Sequence, residues 1–193
     1  MKLKYIPILL LGLFSCNKEN ADSYRVYTID RGDHYSDGPI DKLFGNNNRA
    51  DSWEWEVIFE PSCIYSESDL FNPSNYLDVN KLIGFSDCGR HHSEYSCRIG
   101  WRASGDSIEL LLYKRDDNNI EFKPLKKAYP DQIVNVTLDF KDTTYISCID
   151  GVCDTLVRPC PDWLGRKYSL FPFFGGQETA PHKMKILIKE IWI

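Results

Sequence analysis

Past residue 20 the chain carries short runs in which apolar and polar residues alternate with a period of two, and almost no stretch with helical spacing. Alternation of that kind sends successive side chains to opposite faces of a β-strand. It predicts strands over residues 24–29, 53–59, 81–85, 97–102, 107–113 and 133–140, a hairpin over 144–157, and two later strands over 168–174 and 184–193. The gaps hold turn formers such as Gly45-Asn46-Asn47-Asn48, Ser104-Gly105-Asp106 and Asp116-Asp117-Asn118-Asn119. With no helices to carry parallel crossovers, the expected fold is all-β, an antiparallel two-sheet β-sandwich spanning 24–193 as one domain. Ile186-Leu187-Ile188 is apolar on both faces, the signature of an interior strand.

The hairpin also predicts a covalent link. Asp150-Gly151 is a two-residue turn signal, which sets Ile149 opposite Val152 and Cys148 opposite Cys153 at a spacing a disulfide accepts. Cys88 and Cys97 flank a loop and form a looser second expectation, while Cys63 and Cys160 are left unassigned. Lys2 and Lys4 precede an apolar run over residues 5–14 that is too short to span a bilayer as a helix and reads as an export signal. It closes on Leu13-Phe14-Ser15-Cys16, which resembles the bacterial lipoprotein box. The expected processing removes residues 1–15, lipidates Cys16 and leaves 16–23 as a polar tether, placing the protein on the outer membrane or cell surface, an oxidising setting that favours disulfides.

Composition narrows the function. The net charge is -5, and loss of Lys2 and Lys4 leaves 21 basic residues against 28 acidic ones, so no nucleic-acid partner is expected. Membrane attachment then depends on acyl chains, because no basic patch is available. Trp 5, Tyr 11 and Phe 10 suit both a strand-rich core and sugar-stacking surfaces.

Three constellations carry candidate chemistry. On Trp53-Glu54-Trp55-Glu56 both carboxylates share one strand face, at a spacing compatible with the acid pair of a glycosidase; the ordinary alternative is a solvated face of an edge strand with both tryptophans in the core. On Cys97-Arg98-Ile99-Gly100-Trp101-Arg102 two guanidiniums share a face, suited to uronate carboxylates and, with His92 and Tyr113, holding the ingredients of a polysaccharide lyase; the competing reading pairs them with acids such as Glu109. His34, His92 and His182, with Glu178 or Asp37, compose a conceivable divalent zinc or calcium site if the first and last strands adjoin; otherwise each histidine bonds a nearby backbone group.

Lys81-Leu82-Ile83-Gly84-Phe85-Ser86-Asp87, His91-His92, Ile99-Gly100-Trp101-Arg102 and the run over 171–182 together resemble a group of secreted Bacteroidota lipoproteins. The resemblance covers residues 24 to the end and implies a concanavalin-like jelly roll with its first and last strands adjacent. The leading expectation is therefore a noncatalytic surface lipoprotein that binds an extracellular glycan or a protein. The alternative is a carbohydrate-active enzyme, either a glycoside hydrolase or a polysaccharide lyase.

Overall fold

In the computed structural model, which describes residues 23–37, 51–117, 119–160 and 167–191, the chain folds into two antiparallel sheets packed face to face. The six-stranded sheet is built from β1 (Arg25–Ile29), β11 (Met184–Ile191), β2 (Ser52–Phe59), β7 (Val134–Phe140), β8 (Thr144–Ile149) and β9 (Val152–Val157), in that spatial order. The five-stranded sheet runs β10 (Ser169–Leu170), β3 (Asn80–Ser86), β4 (Tyr95–Ser104), β5 (Ser107–Asp116), β6 (Asn119–Ala128). This is the expected jelly-roll sandwich, with β1 paired to β11 and the 186–188 run in an interior strand.

Alternation on β2 explains the packing. Trp53, Trp55, Val57 and Phe59 point inward and are buried, while Glu54, Glu56 and Ile58 stay partly exposed on the opposite face. The two sheets meet through aromatic contacts, with the Trp53 and Phe85 ring centroids 4.0 Å apart and those of Phe59 and Trp101 5.4 Å apart. Such pairs add directional preference to the burial of large apolar area. β2 pairs with both β11 and β7, so it is an interior strand and not the edge strand that its charged face predicts.

Three other expectations change. β6 is a full strand that alternation does not reveal, because it is lysine-rich and contains Pro124, features tolerated only at a sheet edge. The predicted strand over 168–174 shrinks to two residues, since Pro172 has no amide proton for the ladder; the chain continues through isolated bridges from Phe173 to Lys81 and to Tyr35. Cys88 bonds Cys160, not Cys97. Cys97 faces the core from β4 and is a buried free thiol, as is Cys63, whereas Cys88 lies beyond the end of β3 in a turn with φ 57°. Cys148 and Cys153 pair as predicted, opposite each other across a turn whose Asp150 and Gly151 both have positive φ.

Beside the Cys88–Cys160 bridge the fold buries an ion pair. Asp87 accepts from Arg158 Nε at 2.7 Å and Nη2 at 2.9 Å, and from the Tyr145 hydroxyl at 2.7 Å. Both charged side chains are fully inaccessible to solvent, so the two-pronged geometry and the phenol offset the desolvation of the pair.

Candidate functional site: a cationic and aromatic sheet face

The five-stranded sheet has one greasy face and one charged face. Ile99, Trp101, Leu110 and Leu112 belong to the sandwich core, while Leu111 and Tyr113, one residue out of phase, form a separate small cluster with Val79 on the outside. The period of two puts Arg98, Gly100 and Arg102 of β4 and Glu109, Tyr113 and Arg115 of β5 on that same outer face. Two glycines make room there. A Cβ at Gly100 would collide with Val79, and one at Gly84, where φ is +154°, would collide with the backbone of Cys97 and Arg98. The chain thus draws close around the Arg98 side chain, which is only 7% exposed.

Arg98 and Arg102 behave differently although they sit two residues apart. Arg102 donates from Nε to Glu109 at 2.7 Å and lies 2.6 Å from the same carboxylate through Nη2, so the charge-pairing alternative holds for it. Arg98 has no carboxylate within ion-pair distance among the described residues; its Nη2 donates to the Phe171 carbonyl and its Nε is buried with no acceptor. Burial pulls this guanidinium down to about 10, which leaves it protonated at neutral pH.

Its surroundings are also cationic. Lys81 donates to the Gly175 carbonyl at 2.9 Å, and its Nζ stands 5.5 Å from the centroid of Tyr113 and 5.8 Å from that of Phe173. Burial first, and then the nearby Arg98, bring the Lys81 ammonium down to about 8. Arg115 adds a third cation whose Nε is likewise buried without an acceptor. His92 shares its Nδ1 with the Tyr168 hydroxyl at 2.9 Å, and that hydroxyl also accepts the His92 backbone N–H. Partial burial, followed by His91 and the arginines, lowers His92 to about 4, so its imidazole is neutral at pH 7. Burial raises the Tyr113 phenol, against the pull of Arg115 and Arg98.

The result is three cations and a protonated phenol on one sheet face, with a neutral imidazole in the adjoining 91–94 turn near enough to feel Arg98 and Arg115. Such a set can hold an anion, accept a proton and donate one. His92, Arg98 and Tyr113 are therefore brought together, whereas Arg102 is held by Glu109. Lys81, Arg115, Tyr168 and Phe173 complete the face. Their signal in sequence is faint, because only β-pairing across tens of residues makes them neighbours.

Other predicted groups lie elsewhere. Glu54 and Glu56 stand on the outer face of the opposite sheet, where Glu56 accepts from the Tyr24 hydroxyl at 2.7 Å and lies 3.6 Å from Lys189. The first and last strands do bring the 32–33 and 180 backbones into hydrogen bonding, yet the metal candidates point apart. His34 Nδ1 meets the Phe174 carbonyl at 2.9 Å, His182 Nε2 meets the Ser62 carbonyl at 2.8 Å, and Glu178 accepts from Asn72 and Asn75. Asp37 accepts the Thr28 amide. Among the described residues, the ligand atoms that cluster as a metal site would need are those of Asp87, Cys88 and Cys160, and both of those sulfurs are joined in a disulfide. Cys16 lies outside the described residues.

No family profile and no curated protein matches this chain. Solved structures do. The alginate lyase AlyC3 is similar to it with a TM-score of 0.56 at 12% identity, over 90% of this chain and 75% of that one. AlyC3 in complex with dimannuronate gives 0.50 at 11% identity, over 87% and 73%. The alginate lyase PA1167 from Pseudomonas aeruginosa gives 0.50 at 10% identity, over 76% and 67%. At these identities the likeness is one of fold: this chain is a jelly-roll sandwich of the kind those lyases are built on.

Proposed function

We propose that the outer face of the five-stranded sheet receives an acidic polysaccharide and that the protein is a polyuronate lyase, moored to the cell envelope by lipid on Cys16. One observation carries the reading: Arg98, Arg115 and Lys81 converge with no carboxylate within ion-pair distance of them among the described residues, Asp78 being the acid whose charge reaches Lys81 from farther off. A buried cation with no counter-ion is costly, and a uronate carboxylate would supply the missing charge and the missing acceptor together. Hydrolysis by the Glu54 and Glu56 pair has less support, because β2 places both on the other sheet, away from the cationic face, and Glu56 is bound to Tyr24 and Lys189.

The chemistry assigned to this face is β-elimination. Arg98 offsets the substrate carboxylate. Neutral His92 takes the proton from the adjoining carbon, the freed electron pair forms a carbon–carbon double bond as the glycosidic C–O bond breaks, and the Tyr113 phenol protonates the departing oxygen. The alginate lyases of like fold, one of them with dimannuronate bound, make alginate the first substrate to try. The detergent-purified full chain is to be mixed with alginate and other polyuronates, reading binding by calorimetry and unsaturated product by ultraviolet absorbance. Binding with product supports the lyase. Binding without product returns the protein to the noncatalytic glycan-binding class, and failure to bind any polyuronate rejects the reading of the face. For the anchor, Cys16→Ser should move the protein out of the membrane fraction; retention there would reject lipidation.

A further inference from the structure

Next to Lys81 the outer face continues into an aromatic platform that the elimination chemistry does not use. Phe173 bridges Lys81 through backbone hydrogen bonds on one side and Tyr35 on the other. Its ring stacks on His34 at a centroid distance of 5.2 Å and an interplanar angle of 9°, and meets the edge of Tyr35 at 5.0 Å and 83°. His34 is held in turn by the Phe174 carbonyl, so the Phe173 ring is fixed from behind by a pinned imidazole. Tyr35 nevertheless remains 76% exposed, a large aromatic surface left open on an otherwise braced cluster.

The platform is continuous with the cationic site. Successive cross-strand partners run from Phe173 to Lys81, then Gly100, then Leu111, three strand spacings or ~14 Å across the face. The Lys81 ammonium lies within 6 Å of both the Phe173 and the Tyr113 ring, between platform and phenol. Sugars are amphipathic: the C–H face of a pyranose stacks on an aromatic ring while its carboxylate and hydroxyls seek polar partners.

We infer that Tyr35 and Phe173 form a stacking subsite for a sugar ring neighbouring the uronate held by Arg98 and Lys81, so that the protein selects chains of several units over short ones. The inference rests on the acidic-polysaccharide reading of the adjoining face and deepens it by specifying chain length. The test is calorimetric titration of the full chain with alginate oligosaccharides graded from dimer to hexamer. Wild-type affinity rises with length, and Tyr35→Ala loses about tenfold on the longer oligomers while leaving the dimer unchanged. Tyr35→Phe restores the longer oligomers, because the ring and not the hydroxyl does the stacking. Phe173→Leu gives the same length-selective loss, with a melting curve to confirm that it is folded. If Tyr35→Ala binds every length as wild type does, the subsite is overturned and the cationic face stands. If wild type binds no oligouronate, the face and the subsite fall together.

Discussion

Replacing Arg98 with methionine separates a structural arginine from one kept for a ligand. Burial holds the guanidinium at about 10 instead of 12.5, and at 1.36 kcal/mol per tenfold in proton affinity the charged form carries a cost of about 3 kcal/mol. Methionine keeps the unbranched stem and removes that cost. Against this stands the loss of the bond to the Phe171 carbonyl, a charge-assisted contact of about 1.5–3 kcal/mol. The two nearly cancel, so the stability of Arg98→Met should stay within about 1 kcal/mol of wild type, or about 2–4 °C in melting temperature for a chain of this size. Affinity for oligouronates should drop about tenfold to a hundredfold, the span of a lost charged hydrogen bond. Calorimetric melting and titration read both quantities on one sample. A variant destabilised by more than about 3 kcal/mol that still binds at wild-type affinity would refute the reasoning and make Arg98 a tie for the 171–174 segment.

Three further outcomes are expected. Losing Cys88–Cys160, which closes a separation of 72 residues, should cost about 4 kcal/mol in urea unfolding, against about 2 kcal/mol for Cys148–Cys153 with its separation of 5; equal costs would reject loop entropy as the cause. Asp87→Asn removes the buried charge that receives Arg158 Nε and Nη2 and should cost about 3–5 kcal/mol by the same assay, and a loss below about 1 kcal/mol would show the pair to be dispensable. Lys81 is charged below about 8 and neutral above it, so oligouronate affinity should fall as pH rises through that value, and Lys81→Met should abolish the step. Because the folded value lies below the ordinary 10.5, the unfolded chain binds the extra proton between the two, and the Lys81 contribution to stability should rise with pH over that window.

Much of the architecture is legible locally. Alternation alone places Trp53 and Trp55 in the core with Glu54 and Glu56 outside, and the two-residue turn at Asp150-Gly151 specifies the Cys148–Cys153 pair, because strand period and turn geometry depend only on neighbours in the chain. β6 escapes the same logic, since an edge strand buries little and keeps its lysines and proline.

The site is a different matter. Arg98 and Arg102 look equivalent in sequence; β-pairing places Glu109 beside Arg102, while the packing around Arg98 holds a backbone carbonyl and no acid. Sequence likewise shows Cys88 near Cys97 yet cannot reveal that one leaves the sheet in a turn while the other faces the core. Lys81 and Phe173, or Cys88 and Cys160, become partners only when strands distant along the chain pair and pack. The sequence by itself determines the sandwich and its hairpin, whose rules reach only a few residues along the chain. Which charges are left unpaired, and therefore what the protein can bind, is decided by tertiary contacts between segments tens of residues apart.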